Sequence, residues 1–334
     1  MEIIFKNRKI LIAIVIICAA VFLFEVYVPK SFSNSKYIYY SLEKGSSFNN
    51  VSGDLAKQEI IHNALFFNLY AIISLNYSRL QAGNYQLSQS MSIAQIVKKF
   101  ATGDIVKEKI TIVEGWNIED IAKNLANRKI YSKENFILVT KVDFSNDFLF
   151  LKEKPKNLGL EGYIFPDTYY VLEKSVPEEL LKAALSNFDK KITSDLKQEI
   201  EKQQKSIFKI ITMASMLEKE VKSMEDKKII SGILWKRIKE GIPLQVDATV
   251  NYITGKNDEK AAINDTKIDS PYNTYKYYGL PQGPISNPGM DSILAAIYPE
   301  ETDYWYYLSA DGNGTIIFSK TLEEHIEAQR KYFK

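Results

Sequence analysis

Proton-transfer chemistry has few places to reside in this chain. Its 334 residues include two histidines, His62 and His325, and one cysteine, Cys18. Those numbers argue against a Ser-His-Asp triad, a thiolate nucleophile or a zinc centre, and they leave carboxylates as the proton carriers of any enzyme. The carboxylate with the most suggestive spacing is Glu218, in Ile207–Val221 (Ile-Phe-Lys-Ile-Ile-Thr-Met-Ala-Ser-Met-Leu-Glu-Lys-Glu-Val). Apolar residues recur there at three- and four-residue steps, which predicts a helix. At about 100° per residue, Ile207, Ile210, Ile211, Ala214 and Val221 share one face, with Glu218 in its middle and Glu220 on roughly the opposite side. A carboxyl group on a core-facing stripe is costly to bury charged. Desolvation raises its pKa, so it can hold a proton near neutrality and deliver it as a general acid. A buried Glu satisfied by an Arg or by backbone amides gives the same pattern, and the helix alone does not choose between the two.

The elements around this helix follow from composition and periodicity. Lys and Arg (43) nearly balance Asp and Glu (41), so no basic field marks a nucleic-acid partner. Lys6, Arg8 and Lys9 precede an unbroken apolar run, Ile10–Phe24, extended by Val26–Val28 past Glu25. Residues 10–28 therefore read as a single transmembrane helix, with residues 1–9 as a cytoplasmic tail and the rest outside the cytoplasm. A cleaved signal peptide fits less well, because Cys18-Ala19-Ala20 lies inside the apolar run. After a polar linker, residues 37–105 form a module of strand, turn at Lys44–Ser47, two helices, strand Gly83–Leu87 and helix Ser92–Phe100. Residues 106–150 repeat the strand–turn–helix rhythm through Lys109–Val113, Glu114–Asn117 and Ile118–Leu125. Residues 155–334 form the third domain.

That domain opens with Leu160–Tyr170, dense in aromatic, acidic and turn residues. Helices are predicted at Pro177–Phe188, Ile192–Gln203, Ile207–Val221 and Asp226–Lys239, the last stopped by Gly241 and Pro243. Leu244–Tyr252 places polar groups at two-residue spacing, and Ser270–Pro288 is a long Pro- and Gly-rich loop of the kind kept for function. A hairpin joins Trp305–Ser309 to Thr315–Phe318 through Asp311-Gly312-Asn313-Gly314. Leu322 stands where a calcium loop needs Glu, so this is a turn and no metal site. Thr321 and Glu324 form a capping box for a final helix.

Several stretches together carry a resemblance that none carries alone. They are Leu160–Tyr169, Ala214-Ser215-Met216-Leu217-Glu218-Lys219-Glu220, Leu244–Val250, Ser270–Tyr275 with Gly279-Leu280-Pro281 and Pro284–Gly289, and Ala310–Gly312 leading to Phe318-Ser319. In order and spacing the chain resembles the endolytic murein transglycosylases, bacterial cell-wall enzymes with one N-terminal anchor. The resemblance implies an α+β catalytic domain with a glycan-binding groove behind small LysM-like modules. It also implies cleavage within peptidoglycan strands between MurNAc and GlcNAc, leaving 1,6-anhydro-MurNAc ends and terminating glycan elongation. The partners implied are peptidoglycan, the inner (cytoplasmic) membrane and peptidoglycan synthases, with no cofactor. The family's catalytic Glu lies in the Ser-x-x-Glu-Lys-Glu stretch, leaving Glu218 and Glu220. The helical-face argument selects Glu218 as catalytic, with Glu161, Glu220, Gln245, Asp247, Tyr272, Asn273 and Tyr275 expected to bind substrate. Two other classes remain to be separated by experiment. One is a non-catalytic glycan-binding scaffold, and the other is a hydrolase pairing Glu218 with Asp247 or Glu161.

Overall fold

In the computed structural model, which describes residues 2–33, 36–256, 262–310 and 315–332, the chain divides into two compact units, Met1–Glu108 and Lys109–Lys334. The predicted turn at Asp311–Gly314 lies outside the described residues. Helix and sheet are mixed, and the strands described form three two-stranded sheets.

The first unit begins with α1 (Glu2–Tyr27), whose Arg8–Tyr27 stretch is long and apolar enough to cross a membrane. Next come β1 (Ile38–Leu42), α2 (Phe48–Lys57), α3 (Ala64–Ile73), β2 (Gly83–Leu87) and α4 (Ile93–Thr102). β1 and β2 pair antiparallel, Ile38 opposite Leu87 and Leu42 opposite Gly83. Alternation decides which side chains face inward: Tyr40, Leu42, Tyr85 and Leu87 are buried with Phe48, Leu55, Phe67, Ile96 and Phe100. Local chemistry sets the helix starts. Ser47 and Asn63 cap α2 and α3, and Ser92 with Gln95 completes a capping box on α4.

The second unit contains most of β3 (Lys107–Thr111), then α5 (Ile118–Asn127), α6 (Lys133–Val139), β4 (Thr168–Leu172), α7 (Pro177–Lys191), α8 (Ser194–Lys202) and α9 (Ile207–Glu220). It continues through α10 (Met224–Lys239), α11 (Asp247–Thr254), α12 (Met290–Ile297), β5 (Tyr306–Ala310), β6 (Thr315–Ser319) and α13 (Leu322–Tyr332). Residues 106–150, expected as a module apart from residues 155–334, are not separate from them. β3 pairs with β4, and Ile110, Ile112, Ile121 and Leu125 lie in the same core as Tyr163, Phe188, Met213 and Ile293. A short strand and two short helices bury too little surface alone, so they complete the larger core. The two-residue polar spacing after Leu244 also gives way, to α11, which Gly255 stops in a left-handed C-cap (φ 70°). The capping box of α13 forms as predicted, with Glu324 N–H on Thr321 Oγ1 at 3.2 Å and Thr321 N–H on Glu324 Oε2 at 3.3 Å.

α9 is the central element of this unit. Ser206 caps its start, and Ile210 through Leu217 are buried without interruption, so the helix is enclosed on every side. Its polar side chains are satisfied within the core: Thr212 Oγ1 donates to Phe208 O at 2.8 Å, and Ser215 Oγ donates to Thr212 O at 2.8 Å while accepting from Ile285 N–H at 3.0 Å. The loop before β4 presses against it at Gly162, where φ is 86° and a Cβ would stand 2.7 Å from Ile211.

Candidate active site

α9 ends at Glu220, because Val221 takes up extended backbone (φ −148°, ψ 158°). Glu218 and Glu220 therefore both lie in the last turn, where unpaired carbonyls and the negative end of the helix dipole disfavour a carboxylate. What each carboxyl group meets differs sharply.

Glu218 points inward, as the helical wheel predicts. The space it reaches is the N-terminus of α12, whose cap residue, Gly289, has no side chain to offer. Glu218 Oε2 supplies that cap, accepting from Gly289 N–H at 3.0 Å and Ser292 Oγ at 2.6 Å. It also pairs with Lys227 Nζ at 3.4 Å, the two side chains being 10% and 5% exposed. Nearby, burial and then the Glu218 charge raise the pKa of Glu114, against the pull of Lys227. The floor of small residues expected beside it is not open to a sugar. Ala214 and Ser215 lie in the closed core, and the Glu218 carboxyl group meets a lysine, a backbone amide and a hydroxyl.

Glu220 reaches the other way, toward α11 and β5, and is partly buried. Tyr307 hydroxyl and Ala248 N–H donate to its carboxyl group. Burial, and after it the charge of Asp247, raise its pKa to about 7. Asp247 Oδ1 accepts from Tyr275 hydroxyl at 2.6 Å. The phenol of Tyr307 is itself held far above its ordinary pKa, by burial first and the Glu220 charge second. Arg237, buried on α10, fixes both walls of the site: its Nε donates to Trp305 O at 2.9 Å and its Nη1 to Leu244 O at 3.1 Å. Neither Arg237 nor Tyr307 stands out in the sequence, where one reads as a helix-surface cation and the other as a strand aromatic. Such an arrangement holds a carboxyl group that is protonated in part at neutral pH, beside a second carboxyl and two phenols.

The other expected site residues divide between this cluster and separate locations. Gln245 stands next to it, exposed and with a strained φ of 54°, its N–H donating to Thr274 O at 3.1 Å. Thr274 accepts from Val246 N–H at 3.0 Å, stitching the 244–249 segment to the 270–275 loop. Asn273 is fully buried, its Nδ2 spent on Thr266 O (2.9 Å) and Ile268 O (2.7 Å) and its Oδ1 on Tyr275 N–H (3.0 Å). It shapes the loop and has no amide left to offer a ligand. Glu161 and Tyr272 line a different cavity, of about 650 Å³, with Asn117, Tyr252 and Phe208. Glu161 accepts from Ile118 N–H at 3.0 Å, Asn287 Nδ2 at 3.1 Å and Tyr252 hydroxyl at 3.4 Å, and burial pushes its pKa up to about 8. Among the described residues, no group of His, Cys, Asp and Glu is disposed to hold a metal ion.

Comparison with known proteins gives one consistent answer. The model of the YceG-like family matches residues 40–331. The endolytic murein transglycosylase of Bacillus subtilis is 36% identical over 307 residues, covering 87% of this chain and 84% of that protein. The endolytic murein transglycosylase of Streptococcus pneumoniae serotype 2 is 29% identical over 325 residues, and the match spans 89% of this chain and 59% of that longer protein. A 2.6 Å crystal structure of a YceG-like protein from Listeria monocytogenes superposes with a TM-score of 0.59 at 34% identity, covering 88% of this chain and all of that one.

Proposed function

Since the chain belongs to the YceG-like family, we propose that it is an endolytic murein transglycosylase in which Glu220, and not Glu218, carries the proton. The observation behind the second half is the placement of Glu220 beside Asp247, Tyr275 and Tyr307, which with burial raises its pKa. Its protonated carboxyl gives a proton to the glycosidic oxygen between MurNAc and GlcNAc as the C1–O bond breaks. The C6 hydroxyl of the same MurNAc then closes on C1, and its proton passes to the carboxylate. One 1,6-anhydro-MurNAc end and one GlcNAc hydroxyl result, and no water is consumed. A pKa near the working pH suits a group that must be acid and then base within one turnover. Asp247 faces the positive charge that develops at C1, and Tyr307 steadies Glu220 while it is ionised.

The rest of the chain serves delivery. The basic flank of Lys6, Arg8 and Lys9 before an apolar helix supports a single-pass anchor with a cytoplasmic N-terminus in the inner membrane. The β1-α2-α3-β2 order with an antiparallel pair is consistent with a LysM-like module that positions glycan, and peptidoglycan synthases are the partners such a terminase would work beside.

The test is mass spectrometry of peptidoglycan digested by the full chain in detergent. Internal cuts ending in 1,6-anhydro-MurNAc are expected. Reducing MurNAc ends would replace the reading with a hydrolase, and binding without cleavage would replace it with a scaffold.

A further inference from the structure

α3 (Ala64–Ile73, Ala-Leu-Phe-Phe-Asn-Leu-Tyr-Ala-Ile-Ile) contains no charged residue. Buried Phe67 and Ala71 anchor one side of it in the core of the first unit. At about 100° per residue, Leu65, Leu69, Ile72 and Ile73 gather on the opposite side within about a quarter turn. They remain uncovered, Leu65 being 59%, Ile72 53% and Ile73 65% exposed, and exposed Leu75 continues the patch. A contiguous apolar surface of this kind on a small module calls for an occupant.

The flank of α3 identifies that occupant. Phe66 and Tyr70, between the buried and the exposed sides, touch α1: the Phe66 and Phe22 rings are 6.2 Å apart and the Tyr70 and Tyr27 rings 6.0 Å apart. The open face of α3 is thus continuous with the apolar exterior of α1, at its extracytoplasmic end. Phe22 precedes Tyr27 by about 7.5 Å of helix rise, at 1.5 Å per residue. That depth falls within the 5–10 Å by which interfacial helices sink their apolar faces, on the order of the headgroup boundary. Tyr27 and Tyr70 at the same level are the amphipathic rings favoured there.

We propose that the Leu65–Leu69–Ile72–Ile73 face of α3 lies in the extracytoplasmic interface of the lipid bilayer beside α1. The first unit then meets the membrane through two apolar elements instead of one flexible tether, and its orientation over the bilayer is fixed. This rests on the reading of α1 as a retained anchor, and the test separates the two.

The full chain carrying Cys18→Ser receives a single environment-sensitive thiol probe, by Ile16→Cys, Ile73→Cys or Tyr39→Cys, and is reconstituted in vesicles of equal parts phosphatidylethanolamine and phosphatidylglycerol. Tyr39 is an exposed strand position that serves as the aqueous reference. The expected result is several-fold stronger quenching by a lipid-borne quencher than by an aqueous one at both Ile16 and Ile73, with the reverse at Tyr39. A lipid-facing Ile16 with a water-facing Ile73 would overturn the proposal and keep the anchor. Cross-linking of Ile73→Cys to a second copy would overturn it in favour of a dimer. A water-facing Ile16 would remove the anchor and the proposal together.

Discussion

The two sides of the last turn of α9 hold the same functional group, yet they surround it with different partners. On one side Glu218 meets three donors, Lys227, Gly289 N–H and Ser292 hydroxyl. On the other side Glu220 has a phenol and a single amide, and a neighbouring carboxyl that opposes its charge. Burial is common to both, so burial does not distinguish an acid from a structural carboxylate. The distinction lies in how completely the surroundings compensate the charge once water is gone. A compensated carboxylate holds the fold together, whereas an under-compensated one retains a proton it can give away.

The sharpest way to break this comparison is to neutralise each group in turn. Glu220→Gln should lower release of anhydro-muropeptides by at least about 10²–10⁴-fold, the usual contribution of a general acid–base group. Its stability should not fall. With a folded pKa near 7, Glu220 contributes favourably only below its unfolded value, and that contribution is lost as pH rises from there through 7. The amide has no such dependence, so above pH 7 the variant should melt higher, by on the order of 1–3 kcal/mol. Glu218→Gln should do the reverse. It removes the ion-pair partner of buried Lys227, leaving only the more distant Glu114, and weakens the cap of α12, at a cost of about 3 kcal/mol. Below its lowered melting temperature it should still cleave. Activity and thermal melting on the two variants decide the matter, and a stable but inactive Glu218→Gln would reverse the assignment.

A smaller effect tests how the Glu220 side is tuned. Removing the Asp247 charge in Asp247→Asn should let Glu220 ionise more easily, moving the alkaline limb of the activity–pH profile down by about one unit. Tyr307→Phe removes a donor to the ionised form and should move that limb up by a similar or smaller amount. Opposite movements by the two variants would be hard to explain by loosened packing alone. Two profiles that coincide with the parent would detach both residues from Glu220.

Much of the framework is legible because its signals are local. Ser92 with Gln95, and Thr321 with Glu324, announce helix starts within four residues, and Gly255 could have announced the end of α11. The choice between Glu218 and Glu220 is not local. A wheel assumes one inward face, but α9 is wrapped on all sides, with Thr212 and Ser215 as fully buried as Ile210. α12 is hidden for the same reason: its cap comes from Glu218, 71 residues earlier, so nothing beside Gly289 marks its start. Asn273 misleads in the opposite sense. An amide in a Pro- and Gly-rich loop suits a sugar, yet the loop needs it for its own carbonyls.

The smallest expected effect concerns Gln245, where the Glu220 side spends stability that the Glu218 side does not. Its φ of 54° places an L side chain in the left-handed region, a conformation costing on the order of 1–3 kcal/mol. The surrounding structure enforces it through Gln245 N–H on Thr274 O and Val246 N–H on Thr274 Oγ1. Glycine adopts that backbone freely but gives up more entropy on folding, so Gln245→Gly should gain about 1 kcal/mol or less. The exposed amide lost in the exchange is a group that glycan hydroxyls could engage beside Asp247. If the strain is kept to present that amide, the variant should melt slightly higher while its KM for glycan strands rises and kcat stays near the parent value. Gln245→Asn, which tolerates the left-handed region and retains a shorter amide, should lie between the two. A variant that gains stability with no change in KM would show that Gln245 serves the turn alone and that the groove binds glycan through other residues.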